Sequence, residues 1–255
     1  MSTELELERL GQSLEGWAPS DIMEWAVERF PKMTFATGFG VEGCCLIDMV
    51  GRNKLPIDLF TLDTGLLFPE TYELWKKLEA KYGVTIRAVK PELTVEQQAE
   101  VHGEKLWERT PDKCCEMRKV LPLRNALTPF EAWITAIRRD QTLDRANASI
   151  VERDRKFGLV KVNPLVSWTT RDVWTYVHEN DVPYNALHDQ NYPSIGCWPC
   201  TTPVMPGEDP RSGRWRGREK KECGLHNLPV RTQTKVESSD KKSSERTKSE
   251  NVQAG

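Results

Sequence analysis

The chain is predicted to fold as an α/β protein with a doubly wound, mostly parallel sheet, and three observations predict it. Short apolar runs rich in β-branched and aromatic residues, at 33–37, 57–62 and 84–89, alternate with longer segments of helical periodicity. Strands separated by helices pair in parallel, because a parallel partner needs a crossover of a dozen residues or more. The first two runs lead into polar, glycine-bearing loops, Thr37-Gly38-Phe39-Gly40 and Leu62-Asp63-Thr64-Gly65. Loops at the carboxyl ends of such strands are where doubly wound sheets bind ligands. At 255 residues, 38% hydrophobic and 29% charged, the chain can bury one sizeable core with appendages.

The elements follow in order. Residues 4–30 read as amphipathic helices, with Ile22, Trp25, Ala26 and Phe30 at helical spacing. Met33–Thr37 reads as a strand, Val41–Val50 as a helix, Ile57–Leu62 as a strand, Pro69–Tyr82 as a helix and Val84–Val89 as a strand. A helix over Lys113–Ala126, interrupted at Pro122, precedes a strand at Trp133–Ile137. Residues 148–153 and 159–162 form a hairpin around Lys156-Phe157-Gly158. A helix over Thr169–Asn180 is capped by Thr169 or Thr170, with Asp172 in its first turn. From Thr202 onward Pro, Gly and Arg dominate, and beyond Pro229 almost nothing is apolar. The chain therefore divides into a domain at 1–205, a mobile C-terminal arm at 206–228 and a disordered tail at 229–255.

Composition excludes several classes of function. A formal charge of −2 argues against bulk attraction to nucleic acid, although Arg211, Arg214, Arg216, Arg218, Lys220 and Lys221 make one basic segment. No apolar run approaches the roughly 20 residues of a membrane span. The acidic start, Met1-Ser2-Thr3-Glu4-Leu5-Glu6, lacks the pattern of a signal peptide. Seven cysteines, an odd number with close pairs, fit a reducing cytoplasm better than a disulfide framework.

Four of those cysteines form two pairs, Cys114-Cys115 and Cys197-Trp198-Pro199-Cys200. A C-x-x-C alone is a redox dithiol, half a zinc site or half an iron–sulfur site. Adjacent side chains on a helix diverge by about 100°, which makes it awkward for both thiolates to reach one small ion. A cubane offers irons at separated corners, so the tandem pair favours a 4Fe–4S cluster, with a structural tetrahedral zinc as the alternative. The other tandem pair, Cys44-Cys45, sits among Leu46, Ile47 and Met49 and reads as buried, inert thiols. Cys223 stands apart, in Glu222-Cys223-Gly224-Leu225-His226. Lys220, Lys221 and His226 would favour its thiolate, the nucleophilic form, and would neutralise an anionic substrate together with Arg211 and Arg214. The bland alternative is a solvated basic linker with an incidental cysteine.

Taken together, these motifs resemble one family, the sulfonucleotide reductases, and within it the assimilatory adenylyl-sulfate (APS) reductases of bacterial type. The resemblance runs from about residue 30 to 228. It rests on Leu62-Asp63-Thr64-Gly65, Lys113-Cys114-Cys115 with Arg118-Lys119-Val120, and Arg138-Arg139-Asp140-Gln141 through Arg145. Gly196-Cys197-Trp198-Pro199-Cys200-Thr201, Arg211-Ser212-Gly213-Arg214-Trp215 and Glu222-Cys223-Gly224-Leu225-His226 complete it. The resemblance implies an adenine-nucleotide-hydrolase-like fold related to the ATP pyrophosphatases, and a nucleotide- and cluster-binding body at 1–205. It implies reduction of adenosine 5′-phosphosulfate to sulfite and AMP, with Cys223 as catalytic nucleophile, a thiosulfonate intermediate and thioredoxin as electron donor.

By the same resemblance one 4Fe–4S cluster is held by Cys114, Cys115, Cys197 and Cys200. Loops 37–40 (Thr37, Gly38, Phe39, Gly40) and 62–65 (Leu62, Asp63, Thr64, Gly65), with Lys119, Arg138, Arg145, Arg211, Arg214 and His226, are the expected substrate contacts. Sulfate assimilation and cysteine biosynthesis are the implied setting, and a homo-oligomer is compatible with it. Three positions depart from the family pattern. The pyrophosphatases' Ser-Gly-Gly-x-Asp-Ser loop is replaced by Thr37-Gly38-Phe39-Gly40-Val41-Glu42-Gly43, which counts against ATP cleavage. Glu42-Gly43 stands where many reductases have Glu-Asp, and Thr135-Ala136 where Thr-Gly is common. The competing readings are a 3′-phospho-APS (PAPS) or dual reductase, a pyrophosphatase-type adenylating or thiolating enzyme, and a non-catalytic metal sensor.

Overall fold

The computed structural model describes residues 3–220 and 222–225, so the expectations for Lys221, His226 and the tail at 229–255 lie outside the described residues. Helices α1 (Glu4–Ser13) and α2 (Pro19–Arg29) precede strand β1 (Met33–Thr37). Then come α3 (Val41–Asn53), β2 (Asp58–Leu62), α4 (Pro69–Tyr82) and β3 (Ile86–Val89). Three short helices follow, α5 (Val95–His102), α6 (Leu106–Arg109) and α7 (Pro111–Cys115), then α8 (Leu121–Leu127) and β4 (Ala132–Ile134). The hairpin strands β5 (Val151–Asp154) and β6 (Leu159–Val162) lead to α9 (Thr170–Glu179).

The six strands form one sheet in the order β3-β2-β1-β4-β6-β5. All pairings are parallel except the edge pair β5–β6, the predicted hairpin. The chain thus winds outward twice from β1, and the switch point lies between the carboxyl ends of β1 and β4. Central strands are buried almost throughout, as strands covered on both faces must be; Phe35, Phe60, Ile134 and Val162 are fully enclosed. A large apolar core gathers side chains of α2, α3, α4 and α9 against one face. A smaller one packs Leu123 and Leu127 of α8 on Phe60, Trp133 and Leu159.

Local signals explain most boundaries. Thr169 caps α9 reciprocally with Asp172, and Thr3 does the same for α1 with Glu6. Pro69 opens α4 and Gly83, at φ +63°, closes it. The helix predicted over Lys113–Ala126 runs instead from Pro111 to Leu127 with a π turn at Glu116–Val120, where the Leu121 N–H reaches back to the Glu116 carbonyl. Pro122 donates no N–H, and the widened turn just before it absorbs that break. Helices α5 and α6 were not anticipated; α5 is capped by Thr94 with Gln97, a box its sequence does contain.

One buried charge ties the layer of helices together. Asp48 of α3 is fully enclosed, takes the Arg52 Nε at 2.8 Å and accepts from the Tyr176 hydroxyl of α9 at 2.6 Å. Asp48→Ala should lower unfolding stability by about 2 kcal/mol, since it opens a fully enclosed site, strands the half-buried Tyr176 phenol and unpairs Arg52. Urea denaturation measures this, and a loss below about 0.5 kcal/mol would mean the network relaxes around the gap.

Candidate active site

Two cavities open on the carboxyl side of the sheet, and Arg214 lines both. The smaller, about 10 Å³, is enclosed by Cys114, Cys115, Cys197 and Cys200 with Arg118 and Lys119. The larger, about 310 Å³, is lined by Gly40, Glu42, Arg138, Thr170, His188 and Arg211 among others. It therefore sits at the β1/β4 switch point.

The small cavity brings together the two cysteine pairs, which are 82 or more positions apart in the chain (197 minus 115). Helix α7 carries Cys114 and Cys115 and the π turn after it carries Arg118 and Lys119 to one wall, and the turn at Trp198–Cys200 supplies the other. The Leu67–Cys197 bridge and the Trp198 N–H on the Leu66 carbonyl fasten that turn to the loop after β2. Burial pushes the Cys114 thiol up to about 11 and the Cys115 thiol up to about 12, each reinforced by neighbouring thiols. Ionising such a set requires a cationic centre among them. Among the described residues no group of three or more His, Cys, Asp or Glu is gathered closely enough to hold one metal ion. Trp215, 3% exposed, lines this cavity with a buried indole N–H that has no acceptor among the described residues. Thr64 Oγ1 lies 3.3 Å from the Cys197 sulfur. The set suits a sulfur-rich polynuclear group, which would engage four spaced thiolates and accept from an orphaned indole N–H.

Lys119 is half-buried in the same wall. Burial works against its ammonium, but the thiolates of Cys197 and Cys223 hold its pKa above that of an ordinary lysine. Cys223 therefore stands close to Lys119, and it also sits near Arg214 and Arg145. The arm that carries it is docked by Glu222 on Arg145 and Arg211, by Lys156 donating to the Gly224 carbonyl, and by a Lys220–Asp112 ion pair.

The predicted substrate contacts divide into three groups. Gly40 caps α3 without a side chain and lines the larger cavity, so the first-turn N–H groups of that helix face a place suited to an anion. Gly38 borders open space, and Thr37 is buried and accepts the Phe39 N–H at 3.1 Å. The Phe39 side chain lies in the core against Trp75, with a backbone φ of +57° that brings the loop round. A Cβ at Gly43 would stand 2.9 Å from Thr37 Oγ1, which explains the Glu42-Gly43 departure: threonine at 37 occupies that space.

The loop 62–65 is spent largely on its own shape. Leu62 ends β2, while Asp63 accepts from Gly65 N–H at 3.1 Å and from the Tyr72 hydroxyl at 2.6 Å. Thr64 turns to Cys197, and Gly65, at φ +68°, packs beneath Arg118. Arg118 was noted only within a motif; buried, it donates from Nε to the Thr64 carbonyl at 2.6 Å and from NH1 to Gln98 at 3.1 Å, locking loop to cysteine helix.

The cationic group is held in place before any ligand arrives. Arg138 bonds Glu42 at 3.1 Å, Asp140 at 2.6 Å and Thr170 at 3.2 Å. Arg145 bonds Gln141 and, at 3.1 Å, Glu222. Arg214 alone of these has no carboxylate among the described residues, and its Nε is buried without a partner. Its guanidinium lies against Gly196, closer than any Cβ there would allow, and stacks 4.6 Å over Trp215. Gly196→Ala should therefore push this guanidinium aside, leaving the melting temperature within a few degrees of native while kcat/KM falls about 10- to 100-fold. Thermal melting and steady-state rates on one preparation check this; native kcat/KM would show that Arg214 is not needed where it lies. His188 is a residue that periodicity could not reveal. It lines the larger cavity from a short turn, its Nε2 is buried without a partner among the described residues, and burial lowers its pKa, so it is neutral at pH 7.

The comparisons agree with this geometry. The model of the phosphoadenosine phosphosulfate reductase domain matches residues 32–203. Adenosine 5′-phosphosulfate reductase 1 of Bacillus subtilis is 50% identical over 207 residues, 80% of this chain and 89% of that one. The adenosine 5′-phosphosulfate reductase of Halalkalibacterium halodurans is 43% identical over 227 residues, 88% of this chain and 98% of its own. Among solved structures, the phosphate complex of phosphoadenylyl-sulfate (PAPS) reductase from Candida auris superposes with a TM-score of 0.73 at 34% identity, covering 79% of this chain and 98% of that one. Candida glabrata FMN adenylyltransferase, at 11% identity and a TM-score of 0.54 over 87% of this chain and 80% of its own, shares the fold, the adenine-nucleotide-hydrolase-like sheet the sequence predicted. A family model over most of the sheet and relatives aligned across four-fifths or more of the length make the chain a member of the phosphoadenosine phosphosulfate reductase family.

Proposed function

We propose that the chain reduces adenosine 5′-phosphosulfate to sulfite and AMP in sulfate assimilation, with Cys223 as nucleophile. The observation that carries this reading is the docking of the arm through Glu222 on Arg145 and Arg211, which brings Cys223 near Lys119 and near Arg214, the arginine that lines both cavities. The family assignment makes the chain an oxidoreductase acting on a sulfonucleotide. AMP is a good leaving group, so the task is to hold a polyanion against an incoming thiolate. The Cys223 thiolate attacks the sulfate sulfur, the sulfur–oxygen bond to AMP breaks, and AMP leaves with that electron pair. A thiosulfonate, Cys–S–SO₃⁻, remains. A thiolate of a dithiol donor, which the resemblance identifies as thioredoxin, then attacks the Cys223 sulfur, and sulfite leaves with the pair of the S–S bond. The donor's second thiol resolves the mixed disulfide, so two thiols are oxidised for each sulfate reduced.

Lys119 and Arg214 neutralise the sulfate end, and Arg138 with the α3 N-terminus holds the phosphate and ribose side. Cys114, Cys115, Cys197 and Cys200 would hold a 4Fe–4S cluster, with Thr64 and Trp215 donating toward its sulfurs. Four thiols around one cavity support this, and the adjacent Cys114 and Cys115, whose side chains diverge on a helix, favour a cubane over a single zinc. When bound, the cluster adds structural bracing and a fixed electrostatic field beside Lys119, since the donor dithiol supplies both electrons. The body at 1–205 binds nucleotide and cluster, and the arm at 206–228 presents Cys223. Seven free thiols fit a reducing cytoplasm, and no described helix is long and apolar enough to cross a membrane.

The test is intact-protein mass spectrometry of cluster-loaded enzyme after anaerobic incubation with APS alone, with peptide mapping. A sulfonate on Cys223, released as sulfite by thioredoxin, is expected. No adduct with APS or PAPS would sink the proposal, and an adduct with PAPS only would transfer it to the substrate named for the Candida auris relative.

A further inference from the structure

The arm carries its own anion. Glu222, the residue before Cys223, places one carboxylate oxygen 3.1 Å from the Arg145 guanidinium and the other 3.1 Å from the Arg211 guanidinium. The two arginines come from different segments, the loop after β4 and the start of the arm. Their other neighbours do not replace that charge at Arg145, whose second partner is the neutral Gln141. Arg145 is 7% exposed, so burial disfavours its cation and Glu222 is the leading influence that supports it. A carboxylate beside a nucleophilic thiolate, in a site for a polyanion, is adverse unless something neutralises it; here two guanidinium groups do. The Glu222 side chain keeps 16% of its surface exposed, so water can solvate it once displaced. Lys119 and Arg214 also lie near Cys223, and neither bonds Glu222 among the described residues.

We propose that Glu222 stands in for the substrate's anion. While no substrate is bound, its carboxylate fills the Arg145–Arg211 pair, and the phosphosulfate enters by taking those guanidinium groups from it. Because Glu222 and Cys223 are neighbours, that exchange moves the thiol as the substrate arrives, coupling occupancy of the site to the position of the nucleophile. This rests on the reading of Arg145 and Arg211 as substrate cations. Its deciding test, the alkylation ratio, needs neither substrate nor turnover, so it can fail while the reductase reading stands, and the reverse.

The experiment alkylates Cys223 of the cluster-loaded enzyme anaerobically with iodoacetate, an anion, and with iodoacetamide, its neutral analogue, quantified on the Cys223 peptide. Both reagents need the same thiolate, so the ratio of their rates cancels its population and reports the charge around it. In the native chain the arginines are already occupied and steer the anion little. Glu222→Gln should raise the iodoacetate-to-iodoacetamide ratio about tenfold, and raising salt should erase that gain. Glu222→Asp, which keeps the charge, should leave the ratio near native, and the KM for APS should fall in Glu222→Gln with kcat no higher. If both rates rise together with the ratio unchanged, Glu222 only anchors the arm and the proposal is overturned. An unchanged or lowered ratio with unaltered rates overturns it as well.

Discussion

Replacing Cys223 by serine should abolish turnover, lowering kcat by at least about 10⁴-fold while APS still binds. Sulfur is the stronger nucleophile and reacts as the thiolate, whereas a serine hydroxyl is not ionised at neutral pH. Among the described residues the charged groups near Cys223 are the cations Lys119, Arg214 and Arg145 and the Glu222 carboxylate, which two arginines already hold. Those cations remain in the variant, so nucleotide affinity should change by less than about threefold. Cys44→Ser and Cys45→Ser are the contrasting controls. Both thiols are fully enclosed in the core, where burial holds them protonated, so their replacement should alter stability and leave the chemistry intact. Single-turnover formation of sulfite, with equilibrium binding of APS measured separately, distinguishes these effects. Sulfite release by Cys223→Ser within tenfold of native would exclude the thiosulfonate route.

How much of this was legible before the structure depends on where the information is stored. The parallel sheet was legible because its signals are local: apolar runs of strand length, helical spacing between them, and capping pairs such as Thr169 with Asp172. Cysteine pairing was legible as chemistry, since two tandem-like motifs in one chain restrict what they can serve. The π turn at Glu116–Val120 was not, because Pro122 announces a break without saying whether the helix ends or widens. Nor could sequence show that Arg138 is clasped by Glu42 and Asp140, or that Arg145 and Arg211 share Glu222. Those partnerships span up to 96 positions and exist only once the switch point has formed. Asp63 and Thr64 follow a strand end, where ligand contacts are expected; sequence could not show that Asp63 also holds the loop's turn or that Thr64 lies against Cys197. His188, polar and solitary in sequence, enters the site only because its short turn lies over the larger cavity.

Lys119→Ala should be the most damaging change that removes no reacting atom. The attack brings a thiolate toward a sulfate that already carries negative charge, and the repulsion peaks in the transition state. Lys119 lies near Cys197, Cys223 and Cys115, whose influence outweighs its burial and keeps it protonated across the physiological range. Removing it takes away the nearest fixed positive charge just as negative charge builds, so kcat/KM for APS should fall about 10²- to 10³-fold, or about 3–4 kcal/mol of transition-state stabilisation. Lys119→Arg should recover part of that loss, since the charge returns with a different shape. Lys119→Met, matched in volume, should behave like the alanine variant, which separates charge from packing. The defect should appear in the rate of Cys223 adduct formation and be absent when preformed adduct is presented to thioredoxin, because that second step displaces sulfite from a sulfur already bound. A Lys119→Ala enzyme that forms adduct at the native rate would show that Arg214 alone carries the charge, and that the lysine serves the cysteine cavity instead.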